Sequence, residues 1–349
     1  MSDERDFVRM AAGRGTTPSD YDVCLYHSNC PDGIGGAYPF WKANRSRLTT
    51  ERTSGCFVLW GVKYGEKYPV DLVRGKRVVI VDFCYSRDEI VEMCAIATSI
   101  LILDHHDTAK RELEGLEVEN LSYVFDMSRS GAQIAWDFCE GRVTTGKPLM
   151  MKSQHTPKRP WFIEIIADRD LWKWEIPDSK EIGKALYHGG WYTWEKMLDL
   201  ESSDDPKGDR EKFLIKGTTL IALEDKEIDY VVGTSVAAEF HGHRVRMATC
   251  NPNIRSEVGN RLAVSPDAEF AVIWRYDFAT DQWWVSLRGA EGCTIPLNKL
   301  CETYSGGGHP KACGFAIHGN RSPEWNAADS LTRQKLAHGN LHDYFKVLP

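Results

Sequence analysis

The sequence predicts an α/β protein in which a parallel-sheet domain is followed by a smaller α/β domain. The chain has 349 residues, more than one hydrophobic core usually supports, so two domains are expected. Short apolar runs rich in β-branched residues alternate with helical segments in the first half, which is typical of a parallel sheet buried on both faces. Beyond residue 190 a charged, helix-prone stretch is followed by further short strands.

Four segments are expected along the chain. Polar, aperiodic residues 1–20 are interpreted as a flexible lead, residues 21–190 as the main domain, 191–232 as a helical connector, and 233–349 as the second domain with a C-terminal tail. The strands predicted for the main domain cover residues 21–26, 57–62, 77–83, 99–103, 123–125 and 161–167. Those of the second domain cover residues 244–248, 269–276, 283–287 and 314–317, with a glycine turn GGGH before the last.

Composition limits the classes of partner. The formal net charge is -7, and there is no block of five or six consecutive basic residues, so tracking of long duplex nucleic acid is not expected. Ten cysteines without a CxxC pair indicate reduced thiols, mostly buried in the core. No segment resembles a signal peptide or a membrane span, so a cytoplasmic protein is expected.

Acidic and imidazole residues occur at or near the ends of four predicted strands. They are His27 with Asp32, Asp82, Asp104 with His105 and His106, and Asp168 with Asp170. Ligand sites in open α/β sheets lie outside the carboxyl ends of the strands, and oxygen and imidazole ligands suit Mn²⁺, Mg²⁺ or iron. Any one of these acids alone is more simply a helix N-cap. Four such groups at equivalent positions favour a metal site.

Three motifs occur in a fixed order along the chain: LILDHH at 101–106, VSLR at 285–288 and YSGGGHPKACGF at 304–315. In these the chain resembles the DHH phosphoesterase superfamily with its DHH-associated C-terminal domain, over roughly residues 22–318. Within that superfamily it resembles the nano-RNases, which are oligonucleotide phosphodiesterases.

The resemblance implies a set of metal ligands for one or two ions of Mn²⁺ or Mg²⁺. Asp82 would bridge two ions; one position would be completed by Asp32, His105 and Asp168, and the other by His27. Asp168 is preferred because the aromatic Trp172 follows it by four residues, as in the family, and Asp170 is the alternative.

The first motif, HSNCPDG, departs from the family at Cys30. Family members with a well-formed second metal position have an acid there, two residues before the equivalent of Asp32. Cys30 would bind a soft metal as a thiolate, or Asn29 would contribute a carbonyl oxygen, or one ion alone would bind tightly. Packing of Cys30 in the loop is the alternative.

The remaining implied roles concern the substrate. Asp104 would accept a hydrogen bond from a histidine and fix its tautomer, and His106 would contact a phosphoryl oxygen or protonate the leaving group. In the second domain, an anionic group would be bound by Arg288, Gly306, Gly307, Gly308 and His309. Ser130 is either a helix N-cap or a phosphate contact.

The expected activity is hydrolysis of phosphodiester bonds in short oligonucleotides or dinucleotides from one end. Hydrolysis of cyclic dinucleotides, nucleotide phosphomonoesters or polyphosphate is the alternative within the same class. An inactive nucleotide-binding protein of the same fold, or an oligomeric scaffold, is the alternative from another class. Dimerisation is left open.

Overall fold

A six-stranded sheet organises the first half of the chain in the computed structural model, which describes residues 7–9, 17–48, 55–141, 158–318 and 346–347. The strand order is β1-β6-β5-β4-β2-β3. The strands are β1 (Phe7–Arg9), β2 (Val23–His27), β3 (Val58–Val62), β4 (Arg77–Val81), β5 (Ser99–Asp104) and β6 (Leu121–Phe125). β2 to β6 run parallel, as predicted, whereas β1 pairs antiparallel with β6 at the edge. Part of the expected flexible lead is therefore a strand.

Both faces of this sheet are buried, which explains the continuous apolar runs. Along β4, Val78 and Ile80 belong to one hydrophobic core, whereas Val79 and Val81 belong to another. Since successive side chains of a strand point to opposite faces, the sheet is the middle layer of three.

Helices α1 to α9 cover the sheet and lead into the second half of the chain. They are α1 (Pro31–Ala43), α2 (Val70–Val73), α3 (Arg87–Ile96), α4 (Asp107–Glu112), α5 (Gly131–Cys139), α6 (Trp161–Asp170), α7 (Ser179–His188), α8 (Trp194–Glu201) and α9 (Pro206–Gly233). Capping boxes begin α3, at Ser86, and α5, at Ser130. The predicted strand over 161–167 is wrong, because these residues form most of α6. Its apolar side chains pack against α1, α5 and α7. A short apolar run of this kind is hard to distinguish from a buried strand by periodicity.

The order of the strands creates a switch point between β2 and β4. From β2 the chain proceeds to β3 at one edge, then returns to β4 on the other side of β2. The segments that follow β2 and β4 therefore lead away in different directions and leave a crevice at the carboxyl ends of these two strands. Ligands of doubly wound proteins bind in such crevices.

The second half of the chain contains a seven-stranded mixed sheet in the order β11-β12-β10-β9-β8-β7-β13. Its elements are β7 (Val236–Phe240), β8 (His243–Thr249), α10 (Arg255–Ala263), β9 (Phe270–Asp277), β10 (Gln282–Arg288), α11 (Leu297–Glu302), β11 (Gly307–His309), β12 (Ala312–His318) and β13 (Lys346–Val347). β8 and β9 are parallel, and the other neighbouring pairs are antiparallel. The four strands predicted here are observed. The glycine motif, expected as a turn, forms the edge strand β11 instead.

Two compact units divide between Ile221 and Ala222, within α9. The helical content expected for residues 191–232 is observed, but these residues are shared by the two units. Phe213 packs in the core of the first unit, whereas Ile228 packs in a core of the second. Among the described residues, no helix has the length and apolar character that crossing a bilayer requires.

Candidate metal centre

Side chains from three strand ends meet in the crevice at the switch point. His27 ends β2, Asp82 follows β4 and His105 follows β5. The His27 Nδ1 atom lies 3.4 Å from Asp82 Oδ2, and His105 Nε2 lies 3.3 Å from Asp82 Oδ1. Asp32, in the first turn of α1, places its Oδ2 atom 3.6 Å from His105 Nε2. Four of the six residues predicted as metal ligands therefore form one cluster around Asp82.

Asp170, and not Asp168, supplies the further carboxylate of this cluster. The Oδ2 atom of Asp170 lies 3.3 Å from His105 Nε2, and Asp32, His105 and Asp170 have ligand atoms close enough to hold one ion. Asp170 reaches the crevice from the C-terminal end of α6, not from a strand. The sequence pattern indicated the wrong one of the two acids, because on a helix residues two positions apart face different directions.

Asp168 is buried and organises the loop that follows α6. Its carboxylate accepts hydrogen bonds from the backbone N–H of Glu175 at 2.9 Å, from that of Ile176 at 3.3 Å and from the Ser179 hydroxyl. All of these donors lie within or just after the loop from α6 to α7. Asp168 therefore positions the end of the helix that carries Asp170.

The backbone at Asp82 is in the left-handed region, with φ of 54°. This conformation is uncommon outside glycine, although aspartate tolerates it better than most residues. The Asp82 N–H donates to the Leu103 carbonyl at 2.9 Å, which fixes the turn against the end of β5. Strained backbone of this kind concentrates at functional sites.

The N-terminus of α5 holds Asp32 in place. The Gly131 N–H donates to Asp32 Oδ2 at 2.7 Å and the Ala132 N–H to Asp32 Oδ1 at 3.0 Å. A Cβ atom at Gly131 would lie 2.7 Å from Asp82 Cβ and 2.9 Å from Asp32 Oδ2. Only glycine leaves room for both carboxylate residues here. Ser130 caps α5 through the Gln133 N–H, so of its two alternatives the N-cap is observed, and the helix N-terminus binds Asp32.

Three of the four separations in the cluster, 3.3, 3.3 and 3.4 Å, fit donor atoms that bind a divalent ion, and the Asp32–His105 separation is slightly longer at 3.6 Å. Two donor atoms, each about 2.1 Å from one ion at ordinary coordination angles, lie roughly 3.0–3.4 Å apart. The His27 Nδ1, Asp82 Oδ2 and Asp170 Oδ2 atoms are buried without a hydrogen-bond partner among the described residues. In the part of the chain that the structure describes, Asp32, Asp82 and Asp170 form ion pairs with histidines and with neither lysine nor arginine. A divalent cation at this position would satisfy these buried atoms.

The electrostatics of the cluster indicate competition between protons and a cation. Burial raises the pKa of Asp32, and the nearby charges of Asp82 and Asp170 raise it further. Burial alone would also raise the pKa of Asp82, but contacts with His105 and His27 outweigh it and lower this pKa. Burial would lower the pKa of His105, yet Asp82 and Asp170 raise it well above the usual value. Binding of a divalent ion would release these protons.

Cys30 lies beside the cluster, at the N-terminus of α1. Its sulfur is within ligand distance of His27 and Asp82. Burial raises the pKa of the Cys30 thiol, and Asp82 raises it further. A neutral thiol is a poor ligand for a hard cation. The structure therefore permits a ligand role for Cys30, at the cost of deprotonating it.

The Asp104 carboxylate contacts the His106 ring and orients it. The Asp104 Oδ1 atom lies 2.7 Å from His106 Nδ1 and accepts the His105 backbone N–H at 2.7 Å. Burial tends to lower the pKa of His106, but Asp104 outweighs this effect and raises it. His106 Nδ1 also lies 3.9 Å from Asp82 Oδ1. The imidazole therefore adjoins the cluster with one nitrogen bound to Asp104.

Tyr64, just after β3, is a neighbour of the cluster that the sequence patterns did not indicate. Its ring centroid lies 5.3 Å from that of His27, 4.6 Å from that of Phe83 and 6.4 Å from that of His106. Burial of its hydroxyl end and the Asp104 carboxylate raise the pKa of Tyr64, so the ring stays uncharged at neutral pH. No motif contains this residue, which only the fold brings beside the histidines.

In the second unit, Arg288 is held by the sheet and by α10. Its guanidinium donates to the Leu287 carbonyl at 2.8 Å and to the Ser256 hydroxyl at 3.3 Å. Burial lowers the pKa of Arg288 to about 10, and Arg255 contributes to the decrease. The guanidinium is therefore still charged at neutral pH.

The glycine motif begins one position before β11. Gly306 donates its N–H to the Cys301 carbonyl at 2.9 Å, and Gly307 to His309 pair with β12 opposite Gly314 to Ala312. A Cβ atom at Gly306 would lie 2.3 Å from the Gly314 carbonyl oxygen. The Gly306 N–H, predicted to bind substrate, is thus already bonded within the protein. Gly307, Gly308 and His309 lie on an edge strand, where alternate backbone groups face away from the sheet.

The fold and the cluster together define an α/β protein with a carboxylate and histidine centre at its switch point. No family model matches the chain. It is 26% identical over 307 residues to an uncharacterized protein of Acanthamoeba polyphaga mimivirus, covering 85% of this chain and 68% of that protein.

Solved structures identify the fold more specifically. The structure of the DHH domain of a protein described as a member of a family of ribosomal proteins aligns over 92% of this chain and 86% of its own, with a TM-score of 0.50 and 13% identity. The chain therefore has the DHH-domain fold, followed by a smaller domain. A pGpG-specific phosphodiesterase from Vibrio cholerae aligns over 94% of this chain and 99% of its own, with a TM-score of 0.37 and 12% identity. Activity has to be argued from the site, because one fold supports many functions.

Proposed function

We propose that the protein is a metal-dependent phosphoesterase that hydrolyses phosphodiester bonds of short oligonucleotides or dinucleotides from one end. One observation carries the proposal. Asp32, Asp82 and Asp170 lie together with histidines at the switch point, at separations that fit a divalent ion. Clustered carboxylates in a buried site without a cation are costly, so their presence indicates a site built to bind one.

The same residues suggest how the chain contributes to catalysis. A divalent ion bound here would polarise a phosphoryl oxygen and lower the pKa of a coordinated water molecule. Asp32, His105 and Asp170 would hold one such ion, and His27 and Asp82 would contribute to a second position beside it. The α5 amides keep the Asp32 oxygens in place, and the turn at Asp82 keeps that carboxylate aimed at His105. Mn²⁺ is the first choice of ion and Mg²⁺ the second, since the ligands are oxygen and imidazole.

His106 supports a role in proton transfer. Its Nδ1–H donates to Asp104, so Nε2 is the nitrogen that would meet the substrate, and the Asp104 carboxylate favours the protonated ring. A proton held at Nε2 would be donated to the departing oxygen or would stabilise charge on a phosphoryl oxygen. Asp104 thus acts through His106 as a positioning residue.

The second unit would bind an anionic group of the substrate. The charged guanidinium of Arg288 and the outward backbone amides of β11, with His309 at its end, are the donors. Arginine suits phosphate because its planar fork binds two oxygens. The acidic net charge and the lack of a basic block favour a short substrate over a long one.

The test is a metal-titrated activity panel with the full-length protein. Dinucleotides, longer RNA and DNA, cyclic dinucleotides, adenosine bisphosphate and pyrophosphate are offered with Mn²⁺, Mg²⁺ or no metal. We expect Mn²⁺-dependent release of mononucleotides from dinucleotides and short oligonucleotides, and none from a variant carrying Asp82→Asn.

Two outcomes would overturn the proposal. Binding of oligonucleotides without turnover under any of the metals would favour the nucleotide-binding protein. Turnover that Asp82→Asn leaves unchanged would show that the cluster is not the active site. The matched control is Asp107→Asn, because Asp107 is half-exposed on α4 and pairs with Arg111.

A further inference from the structure

We propose that Tyr64 is a stacking platform for a nucleobase of the substrate, so that the centre selects nucleotides over pyrophosphate and polyphosphate. The inference rests on the proposed phosphoesterase function and names the substrate feature that its site recognises. Three properties of Tyr64 support it: its position beside the histidines, its exposure and the turn that contains it.

The position follows from the edge strand β3, whose end lies next to β2 in the sheet. Tyr64 packs against Phe83 with ring centroids 4.6 Å apart and an interplanar angle of 38°, and against the His27 ring at 74°. The edge-on contact with His106 spans 6.4 Å between centroids. A phosphate bound by the ion and His106 would therefore have this ring beside it. A nucleotide carries its base one sugar away from its phosphate, within reach of that ring.

Tyr64 is an exposed residue even though three other rings contact it. Tyr64 retains 51% of its surface accessible to solvent. Large apolar surface at the rim of a polar site is typical of ligand binding, because aromatic rings gain free energy by covering one another. Successive bases stack on such rings in proteins that bind single strands, whatever the base.

Two hydrogen bonds and a glycine define the turn that contains Tyr64. The Glu66 N–H donates to the Lys63 carbonyl at 3.1 Å, and the Glu66 carboxylate accepts the Lys63 N–H at 3.2 Å. Gly65 adopts φ of 85° in this turn, a conformation that glycine reaches readily because it has no Cβ. A ring carried by such a turn loses little conformational entropy when a base stacks on it.

A base platform predicts a specific pattern of substrate preference. Stacking of one base contributes roughly a 5- to 100-fold increase in affinity. A substrate without a base would receive the same chemistry from the ion and His106, but no contribution from Tyr64. Pyrophosphate, which has no base, would bind correspondingly less tightly than a dinucleotide.

The test compares a dinucleotide with its analogue that lacks both bases, in the Mn²⁺-loaded full-length protein. We expect Tyr64→Ala to raise KM for the dinucleotide by roughly 5- to 100-fold with little change in kcat, and to leave kcat/KM for the abasic analogue unchanged. Tyr64→Phe keeps the ring and is expected to retain the wild-type values. Trp60→Ala is the matched control, since Trp60 is 44% exposed on the same edge strand.

The outcomes are distinct from those that test the proposed function. If the wild-type protein cleaves neither substrate with any metal, the phosphoesterase proposal has failed. If the wild type is active but Tyr64→Ala lowers kcat/KM equally for both substrates, Tyr64 supports the histidines and the base platform is refuted. If Trp60→Ala reproduces the effect of Tyr64→Ala, the selectivity does not belong to Tyr64.

Discussion

Replacement of Gly131 by alanine tests the geometry of the metal centre with a single methyl group. The added Cβ would lie 2.7 Å from Asp82 Cβ, 2.9 Å from Asp32 Oδ2 and 3.1 Å from Asp82 Cα. Carbon atoms in good contact are about 3.5–4.0 Å apart, so Asp82 would have to move away from residue 131 by about 1 Å. Two of the three nearest atoms, the Cβ and Cα of Asp82, cannot be moved away by a rotamer change.

The expected effect is large on the site and moderate on the fold. A displacement of about 1 Å costs on the order of 100-fold in turnover, and disturbed ligand orientation costs roughly 10- to 100-fold in metal affinity. Overpacking destabilises a core by about 1–3 kcal/mol. Isothermal titration with Mn²⁺ measures the affinity without requiring a substrate, and thermal unfolding of the metal-free protein measures the stability.

Gly183→Ala is the matched control, because Gly183 is also a buried glycine in a helix. A Cβ atom there would lie 3.4 Å from Ile165 Cγ2, and alanine is favoured over glycine within helices by about 1 kcal/mol. This variant should therefore bind Mn²⁺ like the wild type and unfold at an equal or higher temperature. If Gly131→Ala keeps wild-type Mn²⁺ affinity and turnover while folded, the close packing of Asp32 and Asp82 is not what the centre needs.

Three further predictions use the same protein. Asp170→Asn should weaken Mn²⁺ binding by at least about tenfold. Asp168→Asn should mainly destabilise the fold, by about 2 kcal/mol, because its hydrogen bonds to the loop become weaker. Equal effects of the two variants on Mn²⁺ titration and on unfolding would contradict the assignment of Asp170 as the ligand. Mn²⁺ at 100 times its Kd should stabilise the wild type by about 2.7 kcal/mol, measured as a shift in thermal unfolding, and Asp82→Asn should abolish that shift. Burial tends to raise the pKa of Asp126, but the Ser128 and Arg129 hydrogen bonds outweigh it and lower that pKa. Its contribution to stability is thus present above about pH 4 and is lost as the pH falls through the folded pKa, so urea unfolding from pH 7 to pH 3 should show a shallower loss for Asp126→Asn; an identical pH profile would refute this.

Local sequence was sufficient for most of the sheet. The strands at 77–83 and 99–103 were predicted because continuous β-branched residues have few alternatives once both faces are buried. The helix α6 was not predicted, because the run 161–167 is apolar apart from Glu164 and is too short to reveal a helical period. β1 was missed for a related reason: an edge strand of three residues pairs by its backbone and carries little pattern.

The candidate ligands also divide into those that local sequence predicts and those that only the fold identifies. Asp82 and the pair His105 and His106 directly follow strands, so the switch-point rule places them without knowledge of distant contacts. The choice between Asp168 and Asp170 depended on which carboxylate faces His105 and which accepts the loop amides. Spacing to an aromatic residue could not decide this, since it does not report the direction of a side chain on a helix.

The sequence by itself determined the fold class, the order of the motifs and the residue types that a divalent ion would need, because these follow from periodicity and ligand chemistry along the chain. Only the tertiary structure decided which acid completes the cluster, that α5 amides hold Asp32, and that Tyr64 stands beside the histidines. These contacts join residues that are far apart in the sequence; Asp32 and Gly131, for example, are separated by 99 positions. Such meetings are set by sheet order and helix packing, and no local pattern encodes them.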